Sequence, residues 1–169
     1  MTVTLTSPDG AAVDREKVGI ADLAVVTDDT QLVTSGLGSC IGIALYDPEA
    51  GVSGLLHAML PTADDGRSTA PEKYVDTGLE QLISAMQTVG AQPQRLHSWI
   101  AGGSQMLEFS GGENSIGARN IRVATQQLSA RSIPIEGADT GGSSGRSLIF
   151  NPKIPGLIVR TAKDGKKTL

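Results

Sequence analysis

The sequence predicts a mixed α/β domain with a largely antiparallel sheet system and its helices gathered on one side. Short apolar runs bounded by turn residues far outnumber stretches with helical periodicity. Only two segments have that periodicity, and a strand-like run separates them. The 169 residues suit one domain with a continuous core. Apolar residues make up 39%, charged residues 19% and aromatics only 3%, so Leu, Ile, Val and Ala must build that core.

Residues 1–16 are polar, aperiodic and end in "DREK". They read as a loose leader, and 17–169 as a single domain. Strand-like runs follow in "VGIADLAVVT", "QLVTS", "IGIALYD" and "VSGLLHAML", separated by "DDT" and "DPEAG". The Asp-Pro and Gly of "DPEAG" suggest a hairpin pairing Ile41–Asp47 with Val52–Leu60. In that hairpin Cys40, seven residues before Asp47, and His57, six residues after Gly51, come close in space. The polar stretch "PTADDGRSTAPEK" is long enough for a binding loop. Val75, Leu79, Leu82, Ile83, Met86 and Val89 then recur at helical spacing, and Gly90 ends the run. "RLHSWIAGGSQM" reads as a strand entering a glycine turn. Asn114 or Ser115 can cap a second helix carrying Ile121, Ala124 and Leu128. "IPIEGADTGGSSGRSLIF" and "GLIVRTA" supply three more short strands.

Charge and cysteine content exclude several functions. The formal net charge is -4, and Lys and Arg cluster only in the short "KDGKK", so nucleic acid is not an expected partner. The first residues show no basic segment followed by an apolar one, and no window approaches the roughly 18 apolar residues of a membrane span. The expected location is cytoplasmic, without membrane insertion. One cysteine rules out an internal disulfide and a multi-cysteine zinc site. "AGGSQM" and "DTGGSSG" match neither a P-loop nor a dinucleotide fingerprint. No metal and no cofactor is expected.

Chemistry concentrates in "GLGSCIGIALYDPEAGVSGLLHAML". A thiol attacks as thiolate, and its pKa must be managed by a cation, an imidazole or converging backbone dipoles. Gly36 and Gly38 stand just before Ser39 and Cys40, where a backbone nest can turn N–H groups toward an oxyanion. His57 supplies a base, provided a third group fixes its tautomer. Thr34, Ser35, Asp47 and Asp139 are candidates for that group, and spacing does not choose among them. The bland reading makes Cys40 a small buried hydrophobe and His57 a core histidine. His97, in "RLHSWI", has no nucleophile near it in sequence and reads as structural.

"GLGSC" at 36–40, "YDP" at 46–48 and "HAMLP" at 57–61 resemble the CheD family of chemotaxis proteins, chemoreceptor glutamine deamidases. "KYVD" at 73–76, "IAGGSQM" at 100–106, "IGARN" at 116–120 and "DTGG" at 139–142 continue the likeness in the same order, over roughly residues 18–161. The resemblance implies a three-layer α/β/β sandwich and a catalytic triad of Cys40, His57 and Thr34, with the Gly36–Cys40 backbone holding the oxyanion. It implies a hydrolase, a protein-glutamine glutaminase. Such an enzyme converts glutamine side chains of chemoreceptor (methyl-accepting chemotaxis protein) cytoplasmic helices to glutamate through a cysteine thioester, releasing ammonia. It also implies binding to a CheC-type CheY-phosphate phosphatase. The alternative from another class is a chemotaxis adaptor that binds and modulates that phosphatase with little catalysis of its own. Residues 62–70 and 143–145 fall outside the motifs and are candidates for receptor choice.

Overall fold

The computed structural model describes residues 2–6, 12–65, 69–105 and 112–169. Eleven strands form two sheets in the described chain. Sheet A contains β1 (Thr2–Thr6), β2 (Ala12–Lys17), β4 (Gln31–Leu37), β9 (Arg146–Phe150), β10 (Leu157–Thr161) and β11 (Gly165–Thr168), in that order. Sheet B runs β3 (Asp22–Val26), β6 (Val52–Ala58), β5 (Ile41–Asp47), β7 (His97–Gly102) and β8 (Ile135–Thr140). Only β2 with β4 and β7 with β8 pair in parallel; the other pairs are antiparallel. Helices α1 (Val75–Thr88) and α2 (Ile116–Ala130) cover one face of sheet B, and sheet A packs on the other. This is the expected α/β/β sandwich with two main helices.

The layers follow from the alternation of side chains along the central strands. On β5, Ile41, Ile43 and Leu45 face the helices with Val52, Leu56 and Ala58 of β6 and Ile100 of β7. Ala44, Leu55, Trp99 and Ala101 face the other way, against Leu32, Leu148 and Phe150 of sheet A. Both β5 and β6 are therefore buried on both faces, because both are covered. The helices supply their predicted stripes: Val75, Leu79, Leu82, Ile83 and Met86 from α1, and Ala124 and Leu128 from α2. Val89, read as the last residue of the α1 stripe, is instead the half-exposed C-cap. Ser115 is the N-cap of α2, its hydroxyl accepting from Ala118 N–H at 3.0 Å.

The segment read as a loose leader forms β1 and β2, paired with each other from Thr2↔Glu16 to Thr6↔Ala12. Strand β2 then adds in parallel to β4, Arg15 opposite Gln31. Its alternation is polar because it lies toward the edge of the sheet, so it carries no core signal. The edge strand β11, fully exposed, was unexpected for the same reason. Within "PTADDGRSTAPEK" the structure describes single 3₁₀ turns at Ala63–Asp65 and Pro71–Lys73; residues 66–68 lie outside the described ones.

Candidate active site

The chain passes from sheet A to sheet B through Gly38, Ser39 and Cys40, which link β4 to β5. The nucleophile candidate thus sits on a sheet-switching corner. Strand β5 pairs with β6 as the hairpin reading requires, Gly42 opposite His57 and Ile41 opposite Ala58. Cys40 lies two positions before Gly42, so it is a diagonal neighbour of His57, roughly 7–8 Å away between backbones and within side-chain span. Cys40 packs on the inter-sheet cluster, and His57 turns into the same layer to meet sheet A.

The group that meets His57 is Thr34. Its Oγ1 lies 2.8 Å from His57 Nδ1 and donates its hydrogen to the Val18 carbonyl at 2.7 Å. A hydroxyl has one hydrogen to give, so Oγ1 must accept from Nδ1–H. The imidazole is thereby held as the Nδ1–H tautomer, with a lone pair on Nε2. That Nε2 is buried and has no hydrogen-bond partner, although His57 as a whole is 0% exposed. An unpartnered buried acceptor is costly in a core that only needs packing. It suits a base that awaits a proton.

The other candidates for orienting His57 are engaged elsewhere. Asp47 closes the β5–β6 turn, accepting from Glu49 and Ala50 N–H at 3.0 and 3.1 Å, and pairs with Arg95 at 2.9 Å. Burial raises its pKa, but the hydrogen bonds from Arg95, Gln92 and Ala50 and the Arg95 charge outweigh that and bring it down to about 2. Asp139 pairs with Arg146 at 3.2 Å and Lys167 at 3.0 Å. Ser35 is exposed, its alternation placing it opposite Thr34. His97, opposite Tyr46 toward the other end of β5 from His57, carries an exposed ion pair with Glu136 at 2.7 Å.

Burial keeps the Cys40–His57 pair uncharged. It pushes the thiol pKa up, with the backbone N–H of Cys40 pulling the other way, and pushes the imidazole pKa down. The resting site is therefore a thiol beside a neutral imidazole.

Gly36 stands at φ 75° in a bulge of β4, where the register with β9 shifts between Thr34 and Leu37. The bulge turns the strand just before the corner. From there every carbonyl of the corner is taken: Gly38 O by Ser104 N–H at 2.9 Å, Ser39 O by Asn120 Nδ2 at 2.8 Å, and Cys40 O by Gly103 N–H at 2.8 Å. Gly102, at φ 117°, is required by that closeness, since a Cβ there would lie 2.4 Å from Cys40 O. Sequence reasoning missed Asn120. The available signal was a polar residue one turn before Ala124 on the apolar stripe of α2, fully buried in the structure.

The family profile described as "CheD chemotactic sensory transduction" matches residues 59–161. A "Probable chemoreceptor glutamine deamidase CheD" of Haloarcula marismortui is 44% identical over 96% of this chain and 94% of its own. A "Chemoreceptor glutamine deamidase CheD" of Halalkalibacterium halodurans is 41% identical over 92% of this chain and 99% of its own. One of the same description from Bacillus subtilis is 42% identical over 90% and 95%. Similarity of this depth, over nearly the full length of both partners, settles the relationship: the chain belongs to the CheD family.

Proposed function

We propose that this protein is a chemoreceptor glutamine deamidase that works through a Cys40 thioester, with His57 as acid and base and Thr34 as the group that orients it. The single observation that carries the mechanism is the imidazole held at Nδ1 by Thr34, with its buried Nε2 free, beside the only thiol in the chain. The names of the relatives supply the substrate class, glutamine side chains of chemoreceptors.

The reaction uses the tautomer directly. His57 Nε2 takes the Cys40 proton as sulfur bonds to the carboxamide carbon, and the carbonyl electrons move to oxygen. Backbone N–H groups of the Gly36–Cys40 segment, among them those of Ser39 and Cys40, hold that oxyanion. One such donor is worth about 3 kcal/mol in enzymes that have lost one. The imidazolium gives its proton to the nitrogen, which leaves as ammonia, and a thioester remains. His57 then deprotonates water, hydroxide attacks the thioester, and the sulfur leaves and recovers its proton, releasing glutamate. Keeping the resting pair neutral postpones charge separation to the step where the oxyanion can share it.

A cytoplasmic location and a CheC-type phosphatase partner complete the reading, both resting on the family likeness. No described helix is long and apolar enough to cross a membrane. The test is mass spectrometry of a receptor cytoplasmic fragment incubated with the wild-type protein or with Cys40→Ala. Each converted glutamine gains about one dalton when an amide becomes an acid. A gain that depends on the cysteine is the expected result; an equal gain with Cys40→Ala would overturn the mechanism, and no gain on any receptor of the source cell would overturn the function.

A further inference from the structure

We infer that Asn120 is a positioning residue that aims the oxyanion-binding N–H of Cys40, by clamping the backbone on either side of the Cys40–His57 pair. The inference rests on the deamidase reading for its activity arm and on geometry for the rest.

Asn120 lies on the helix side of sheet B, on the same stripe of α2 as Ala124 and Leu128, and is 0% exposed. Its Nδ2 donates to Ser39 O at 2.8 Å and to Met59 O at 3.0 Å. Ser39 immediately precedes the nucleophile, and Met59 follows His57 by two residues. Both acceptors are carbonyls, so only the amide nitrogen can meet them, and the orientation of the side chain is fixed. One amide thus joins the corner before β5 to the end of β6, the two backbones whose relative position sets the distance between thiol and imidazole.

The direction of the Ser39 carbonyl has a further consequence. In a planar trans peptide the C=O of one residue and the N–H of the next point opposite ways. With Ser39 C=O drawn toward α2, the Cys40 N–H points away from the helices and into the inter-sheet layer, where the Cys40 side chain packs. The same N–H is the one that stabilises the Cys40 thiolate. Packing alone does not explain the residue. A core position in an apolar stripe is better filled by Ala or Leu, and Asn120 leaves its Oδ1 buried without a partner.

The test uses the full chain, whose one cysteine makes alkylation by iodoacetamide specific to Cys40. Asn120→Asp keeps the shape and removes both donors; Asn120→Gln keeps the amide but displaces it by one methylene, and serves if the first fails to fold. Leu128→Ala, on the same stripe, controls for destabilisation. In the Asn120 variants kcat for deamidation should fall about 100-fold with KM within about threefold, the pattern of a misaimed reactive group. The pH midpoint of Cys40 alkylation should rise, as the thiolate loses its backbone donor. Leu128→Ala should move neither. The inference is overturned if folded Asn120 variants keep kcat within about threefold and keep the alkylation midpoint, or if Leu128→Ala shifts both readouts equally. If the wild-type protein deamidates nothing, the alkylation arm decides alone: a raised midpoint keeps the clamp while the deamidase reading falls.

Discussion

Thr34 Oγ1 lies 2.8 Å from His57 Nδ1 across the interface between the two sheets, and spends its own hydrogen on Val18 O. In the proposed mechanism this neutral hydroxyl does for the imidazole what a carboxylate does in the serine-protease triad, fixing the tautomer but stabilising imidazolium less. Thr34→Val tests that role. The variant matches Thr in shape and leaves Nδ1–H buried without an acceptor, which costs about 1–3 kcal/mol. If that cost falls on the catalytic imidazolium, kcat drops about 10- to 100-fold, and Thr34→Ser restores most of it. Steady-state deamidation kinetics decide the matter; wild-type kcat in Thr34→Val would remove Thr34 from the mechanism.

The pH profile follows from burial of the pair. In the proposed mechanism His57 must be neutral to accept the thiol proton, and burial lowers its pKa from the ordinary value of about 6.5. The acid limb of kcat/KM should then lie below 6.5. Burial raises the Cys40 pKa, so the proton that ammonia needs stays in the site beyond the usual thiol range. A broad plateau spanning neutral pH is the expected outcome. Two limbs falling at ordinary His and Cys values would show that the pair is solvated instead.

Much of this site is legible in the sequence. The "DPEAG" turn and the apolar runs beside it predict the β5–β6 hairpin, and the hairpin brings Cys40 to His57, because antiparallel register is a local property. Thr34 was one of four candidates on residues alone. It belongs to sheet A and His57 to sheet B, and how two sheets stack is not written in the spacing of either strand. The family resemblance points to Thr34, and its contact with His57 across the two sheets supports that reading. Asn120 was hidden differently. A buried Asn on a helix and an exposed one look alike in sequence until the neighbouring carbonyls are known. Strands β2 and β11 escaped because polar strands at or next to a sheet edge need no apolar alternation.

Gly102 and Gly90 separate backbone strain from catalytic geometry. Both have φ beyond +100°, a conformation that costs an L residue roughly 1–3 kcal/mol. A Cβ on Gly90 meets nothing within 4 Å, while one on Gly102 would lie 2.4 Å from Cys40 O. Gly90→Ala should therefore lose stability and keep kcat. Gly102→Ala should lose stability and also cut kcat by about 100-fold, since it displaces the carbonyl of Cys40, the proposed nucleophile. Urea denaturation and deamidation rates, measured on the same samples, give both numbers. Equal kcat in the two variants would show that the 102–104 turn does not hold the corner in place.

Asp47 belongs to stability, despite its place on the strand that follows Cys40. Its folded pKa of about 2 lies below the ordinary 3.8. A lowered carboxyl pKa gives stability that is present above the unfolded value and is lost as pH falls through the folded one. Here that window runs from about pH 4 to about pH 2, and the full contribution is about 2 kcal/mol. Asp47→Asn should be less stable than wild type by about that amount at pH 7, with the gap closing as pH approaches 2. Because Asp47 touches Arg95 and the β5–β6 turn and not His57, kcat at neutral pH should stay within about twofold. Chemical denaturation at several pH values checks the first part and steady-state kinetics the second. A large fall in kcat would return Asp47 to the list of groups that orient the imidazole.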